Sequence, residues 1–239
     1  MATPGPGDRA GRPLTIAAPG DGPALDAVLE IPGSGEVPVP CIVICHPHPL
    51  YGGDRNNNVV RALAEGALAV GVAALSFDFR GVGASEGSHD GGRGERDDAR
   101  AALAAAAATP EVDASRIGLA GYSFGGGVAS AVVADALAGG DAGPEALALV
   151  ATSMPPPDDI GPALVGYAGP LLLASGTHDR FCSADALAAV ASARGERGAE
   201  TETLIVPGID HFWLGGERRL AEQASAFFRK AFGREQQAR

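Results

Sequence analysis

Cysteine, aromatic side chains and positive charge are all scarce in this sequence of 239 residues. Its three cysteines, Cys41, Cys45 and Cys182, are too few for a disulfide framework. Cys41 and Cys45 lie in one short apolar segment, on the same face of a strand and along one edge rather than opposite each other. A reduced, cytoplasmic setting is therefore expected. Lys and Arg number 18 against 29 Asp and Glu, a formal net charge of −11. That balance argues against nucleic acid, whose phosphates call for clustered cations. No apolar run approaches the roughly 20 residues of a bilayer-spanning helix, so no membrane partner is expected. Aromatics make up only 5%, which leaves a core of Ala, Val and Leu. Met1 to Pro13 is rich in Pro and Gly and lacks an apolar h-region. It reads as a disordered lead-in, neither signal peptide nor membrane span.

What remains is ordinary globular composition, 46% apolar and 20% charged, in a length that suits one domain over residues 14–239. Short β-like segments alternate with helical ones. Leu25 to Ile31 alternates apolar and polar positions, as a half-exposed strand does. Cys41 to Cys45 is a continuous apolar run between Pro40 and Pro47, the mark of a strand buried on both faces. Similar runs occur at Val72 to Phe77, Ile117 to Tyr122, Ala146 to Ala151, Leu171 to Ser175 and Thr203 to Val206. Helices are predicted over Asn58 to Val70, Arg96 to Ala108, Phe124 to Ala138, Ser183 to Ala193 and Gly216 to Phe232, with Gly139 to Pro144 a loop inside the domain. Such alternation implies a mostly parallel sheet of about seven to eight strands, covered by helices on both faces. Ligands then bind at the carboxyl ends of the strands, so functional residues are expected just after them.

One motif meets that requirement directly. Gly121-Tyr122-Ser123-Phe124-Gly125 is a G-x-S-x-G pattern at the junction of a buried strand and a helix. The glycines allow a sharp turn that lifts the serine hydroxyl above the sheet, beside a helix N-terminus that favours developing negative charge. The pattern alone is weak in a chain with 35 glycines; its flanking strand and helix make it specific. A serine hydroxyl is a poor nucleophile without a base and an orienting acid.

Two further segments stand beside this one: His46-Pro47-His48-Pro49-Leu50-Tyr51-Gly52-Gly53 and Phe77-Asp78-Phe79-Arg80-Gly81-Val82-Gly83-Ala84-Ser85-Glu86-Gly87. Together with Gly-Tyr-Ser-Phe-Gly-Gly, they make the chain resemble the small bacterial α/β-hydrolases, over nearly everything from Ala24 to Phe232. The resemblance implies the α/β-hydrolase fold, esterase-like chemistry on poorly defined substrates, and a catalytic triad. In that fold the chain order is serine, acid, histidine. Of the histidines only His211 comes late enough, after the strand ending at Val206 and before the last helix. The acid belongs after the preceding parallel strand, where Asp179 follows Gly176. Asp210 is the weaker claimant, since neighbouring side chains diverge, and His178 stays open as a pocket residue. Asp78 and Arg80 read as stabilisers of their own loop.

The tetrahedral intermediate calls for two backbone donors. Phe124, following the nucleophile, supplies one; the other comes from the His46–Gly53 loop, at His48 or alternatively Leu50, because Pro47 and Pro49 have no N–H. His46-x-His48 as metal ligands lacks any accompanying carboxylate or cysteine cluster, so neither metal nor other cofactor is expected. Between Thr152 and Gly169, Pro155, Pro156 and Pro157 predict a stiff, extended, minimal lid. Met154, Ile160, Leu164 and Tyr167, with Leu50, are candidates for an apolar pocket. An open site of this kind suits small, water-soluble ester substrates. A thioesterase, peptidase or perhydrolase would use the same three residues, and a non-catalytic binding protein of this fold is the alternative from another class.

Overall fold

The computed structural model describes residues 11–17, 22–33, 37–139, 149–154 and 160–233. These form one sheet of eight strands: β1 (Arg12–Ala17), β2 (Ala24–Glu30), β3 (Val39–Cys45), β4 (Ala73–Phe77), β5 (Val112–Tyr122), β6 (Leu149–Thr152), β7 (Leu171–Gly176) and β8 (Thr201–Val206). Their order across the sheet is β1-β2-β4-β3-β5-β6-β7-β8. The β1–β2 and β2–β4 pairs are antiparallel; from β4 to β8 every pair is parallel. Among the described residues six α-helices lie between or after the strands: α1 (Asn58–Leu68), α2 (Arg93–Ala107), α3 (Phe124–Gly139), α4 (Ile160–Gly166), α5 (Ala184–Gly195) and α6 (Glu217–Gly233). None is long and apolar enough to cross a membrane.

The continuous apolar run of β3 explains its central place. Cys41, Val43 and Cys45 point into one core and Ile42 and Ile44 into the other, all fully buried. The first core packs against α2 and α3 through Ala99, Ala102, Val128 and Val132. The second packs against α1 and α6 through Val59, Leu63, Leu220, Phe227 and Phe228. Each buried Leu or Phe contributes about 1.5–3 kcal/mol. The Asn57 side chain caps α1 by accepting from the Val59 amide at 2.9 Å. Arg80 donates from its guanidinium Nε and Nη2 to the buried Asp98 carboxylate of α2 (Nη2 to Oδ1, 2.7 Å), and Arg55 pairs with Asp78 and with Asp26 (2.7 Å), so the Phe77–Gly87 loop is clamped on both sides.

Two expectations need correction. The expected lead-in reaches too far: residues 1–10 lie outside the description, but Arg12 and Pro13 belong to β1, paired with Leu29 and Val28. A strand at a sheet edge with only Ile16 buried carries little hydrophobic signal. The segment expected to be extended before Gly169 contains α4, although residues 155–159 lie outside the description, as do 140–148, most of the expected loop. The stiff, extended stretch expected at Pro155, Pro156 and Pro157 falls on residues outside the description.

What holds α4 in place is Arg194 of α5, wholly buried. Its guanidinium donates to the carbonyls of Leu164 (2.6 Å), Tyr167, Gly169 (2.8 Å) and Glu200 (3.2 Å), and its Nε donates to the Thr201 hydroxyl (2.7 Å). The Tyr167 ring lies 5.3 Å below it. One planar fork thus ties α4, the turn after it and β8 together, which the compact ammonium of lysine cannot do. Arg194→Ala strands several buried carbonyls; urea unfolding is expected to show a loss of at least about 3 kcal/mol, with Arg194→Lys recovering less than half.

Candidate active site

The strand β5 ends at Tyr122 and α3 begins at Phe124, so Ser123 alone makes the turn, with φ of 53°. A side chain at Gly121 would strike the Gly125 carbonyl, and one at Gly125 would strike the carbonyls of Cys45 and His46. The two glycines therefore let α3 start hard against the ends of β5 and β3. The Ser123 amide donates to Thr152 of β6 (2.9 Å), and its carbonyl opens the helix by accepting from Gly127 (3.0 Å).

The turn after β7 presents Asp179, its carboxylate buried. Oδ1 accepts from the amides of Phe181 (2.9 Å) and Cys182 (3.0 Å). Both oxygens stand 3.1 Å from His211 Nδ1, and His211 Nε2 lies 3.0 Å from Ser123 Oγ. A carboxylate with these neighbours can only accept from the ring, which places the ring proton on Nδ1 and turns the Nε2 lone pair toward the serine. Asp210 turns away, accepting from the Phe212 amide at 2.9 Å. His178 is exposed, its amide bonded to the Ile209 carbonyl.

Three tethers hold the loop that carries His211. Tyr122 donates its hydroxyl to the His211 carbonyl (2.7 Å), Asn58 donates to the Phe212 carbonyl (3.0 Å), and Trp213 Nε1 donates to Ser153 Oγ (2.7 Å). Trp213 and Ser153 both have positive φ, 61° and 46°, and both are fully buried. Such strain persists where the surroundings enforce it.

Opposite this loop, the His46–Gly53 segment folds over the start of α3. Burial holds the His46 ring neutral, pushing its pKa down to about 4. Its Nδ1 donates to the Pro47 carbonyl (2.6 Å) and its Nε2 accepts from the Phe79 amide (3.0 Å), so both nitrogens are engaged and neither is left for a metal. The Leu50 amide donates to His48 Nδ1 (3.2 Å). Among the described residues the amides of His48 and Phe124 have no acceptor. The rings of these two residues meet at 4.8 Å between centroids.

Between the two loops lies a cleft of about 700 Å³ with Ser123 and His211 on its floor. Pro47, His48, Tyr51 and Phe124 form one side; Phe181 and Phe212 form the other. Of the five pocket candidates read from sequence, Leu50, Met154, Leu164 and Tyr167 are elsewhere, and the Ile160 side chain lies outside the description. Met154 and Tyr167 are core residues, 1% and 8% exposed, because the end of β6 and the turn after α4 point them under α3 and onto Arg194. Leu50 is exposed but outside the lining, since the turn Pro49–Tyr51 directs it to solvent. Leu164 is likewise buried in the core. Phe181 and Phe212, missed in the sequence, sit two residues beyond Asp179 and one beyond His211. In a chain so poor in aromatics, that adjacency was the available signal.

A mostly parallel eight-stranded sheet with a serine at the strand-to-helix turn defines an α/β-hydrolase. The sequence profile of the X-Pro dipeptidyl-peptidase (S15) family matches residues 21–160, and the chain belongs to that family. It is similar to an α/β serine hydrolase homologue from Coxiella burnetii (28% identity, TM-score 0.72), covering 90% of this chain and 96% of that one. It is also similar to an α/β serine hydrolase without lid from Xanthomonas campestris (26% identity, TM-score 0.70), over 92% and 94% of the two chains. A protein of Rickettsia prowazekii is 47% identical over 64 residues, a match that spans only 27% of that protein's length and 27% of this chain.

The neutral, buried His46 has a consequence for stability. Because its folded pKa lies below the usual 6.5, the unfolded chain takes up the proton first. Stability is thus lost as pH falls from about 6.5 toward 4, by about 2 kcal/mol between pH 7 and pH 5. Denaturation curves at the two pH values are expected to show a pH dependence smaller by that amount in His46→Gln.

Proposed function

We propose that the protein hydrolyses carboxylic esters through an acyl-enzyme on Ser123. The observation that carries this reading is the unbroken chain from Ser123 Oγ to His211 Nε2 (3.0 Å) and from His211 Nδ1 to the Asp179 carboxylate (3.1 Å). As the serine oxygen attacks the ester carbonyl, His211 takes its proton and then delivers it to the departing alcohol. Asp179 stays ionised, holds the imidazole in the required tautomer and stabilises the imidazolium. The developing oxyanion is received by the amides of Phe124 and His48, each contributing about 2.7–4 kcal/mol. Leu50 is the poorer donor because its amide already serves the His48 ring. Water then enters along the path of the alcohol, activated by the same histidine, and releases the acid. No cofactor takes part in these steps.

An enzyme that removes an X-Pro dipeptide must recognise a free, positively charged amino terminus. Among the described residues that line this cleft there is no carboxylate to receive one, which favours an ester over the peptide bond in the family's name. The three cysteines are buried free thiols, in keeping with a reducing cytoplasmic setting.

A fluorophosphonate probe is expected to label Ser123 and to leave Ser123→Ala untouched. Hydrolysis of p-nitrophenyl acetate should fall at least about 10⁴-fold in Ser123→Ala and about 10³–10⁴-fold in Asp179→Asn. Turnover that survives in Ser123→Ala, or faster release from an X-Pro anilide than from the ester, overturns the proposal.

A further inference from the structure

The chain has only eight Phe, three Tyr and one Trp, yet Tyr51, Tyr122, Phe124, Phe181 and Phe212 all line the cleft that holds Ser123. Tyr51, Phe181 and Phe212 are 86%, 62% and 61% exposed. Everywhere else the scarce large rings belong to the core: Phe77, Phe79, Tyr167, Trp213, Phe227, Phe228 and Phe232 are buried. Rings gathered and left in water around one serine mark a binding surface, because a folded chain ordinarily keeps such surface small.

The rings form two walls. On one side His48 lies 4.7 Å from Tyr51 and 4.8 Å from Phe124, centroid to centroid. On the other, His211 is flanked by Phe181 at 4.7 Å and Phe212 at 5.8 Å. The chemistry tells the walls apart. The ester carbonyl oxygen must face the Phe124 and His48 amides, while the alcohol oxygen must lie near His211 Nε2 to receive its proton. The Phe181–Phe212 wall therefore borders the alcohol half of the ester. Neither wall carries a Lys, Arg, Asp or Glu among the lining residues, so nothing there compensates a charged substituent.

We propose, building on the acyl-enzyme reading above, that Phe181 and Phe212 are specificity-determining residues that stack the aromatic alcohol group of a neutral ester beside His211. The substrate class is the arylmethyl or aryl ester of a carboxylic acid. Stacked rings favour one another beyond the area they bury, which predicts a measurable preference for a flat ring over a saturated ring of similar size.

The test compares benzyl acetate with cyclohexylmethyl acetate, which share the acetyl-enzyme and differ only in the alcohol. The wild-type protein is expected to favour benzyl acetate in kcat/KM by about five- to tenfold. In Phe181→Leu/Phe212→Leu, whose melting curve verifies folding, that ratio should fall to near one, and each single variant should lie between. The carboxylate of 4-carboxybenzyl acetate should lower kcat/KM at least about tenfold relative to benzyl acetate, because stacking between the rings strips it of water and no lining cation pairs with it. A wild-type ratio near one, or a ratio unchanged in the double variant, overturns the assignment of this wall. Fluorophosphonate labelling of Ser123 separates the two levels: a labelled enzyme without the preference sinks only this inference, whereas an unlabelled Ser123 sinks the reading beneath it.

Discussion

Where α3 leaves the sheet, the backbone at Gly125 runs so close to the Cys45 and His46 carbonyls that a side chain has no room. This contact brings the end of β3, the end of β5 and the start of α3 to one point. It forces Ser123 alone to make the turn, at positive φ, and it sets the His46–His48 loop directly beside the Phe124 amide. His46 completes the arrangement by bridging its own loop to Phe79 after β4, with both ring nitrogens engaged. The cost of a strained serine and a buried imidazole is borne by the packing of the sheet, where β3, β4 and β7 have no exposed residue.

The other half of the site is built differently. Asp179 is fixed by the amides of its own turn, a local device that sequence proximity alone can form. His211 is held from afar, by Tyr122 next to the serine, Asn58 at the start of α1 and Ser153 after β6. Each tether reaches a different element, so the loop cannot shift without breaking a contact to the sheet or to α1. The imidazole thus sits between a rigid serine turn and a rigid carboxylate, which lets the hydrogen-bond chain form without any movement of the backbone.

Above this polar floor the walls are aromatic and uncharged, in a protein whose net charge is strongly negative. Acidic residues instead pair with arginines away from the cleft, as buried Asp78, Asp98 and Glu30 do with Arg55, Arg80 and Arg61.

Much of the architecture was legible because it depends on short-range patterns. The apolar runs at residues 41–45, 117–122 and 171–175 could only be buried strands, and the glycines about Ser123 answer a steric demand within a few residues. Asp179 and His211 were legible as residues following strands, in a set chain order. Edge strand β1 was not, since one buried side chain leaves no periodic signal. Helix α4 was not either, because its support comes from Arg194, thirty residues away in sequence. The lining of the cleft was misread for the same reason: hydrophobicity is common to Met154, Tyr167, Phe181 and Phe212, but only the path of each loop decides which turn inward beneath α3 and which stand over the serine. The sequence by itself determined which residues sit in the turns at the strand ends, through local sterics and burial. Tertiary structure alone decided which of the apolar residues meet there, because the direction of a side chain is set by contacts made far along the chain.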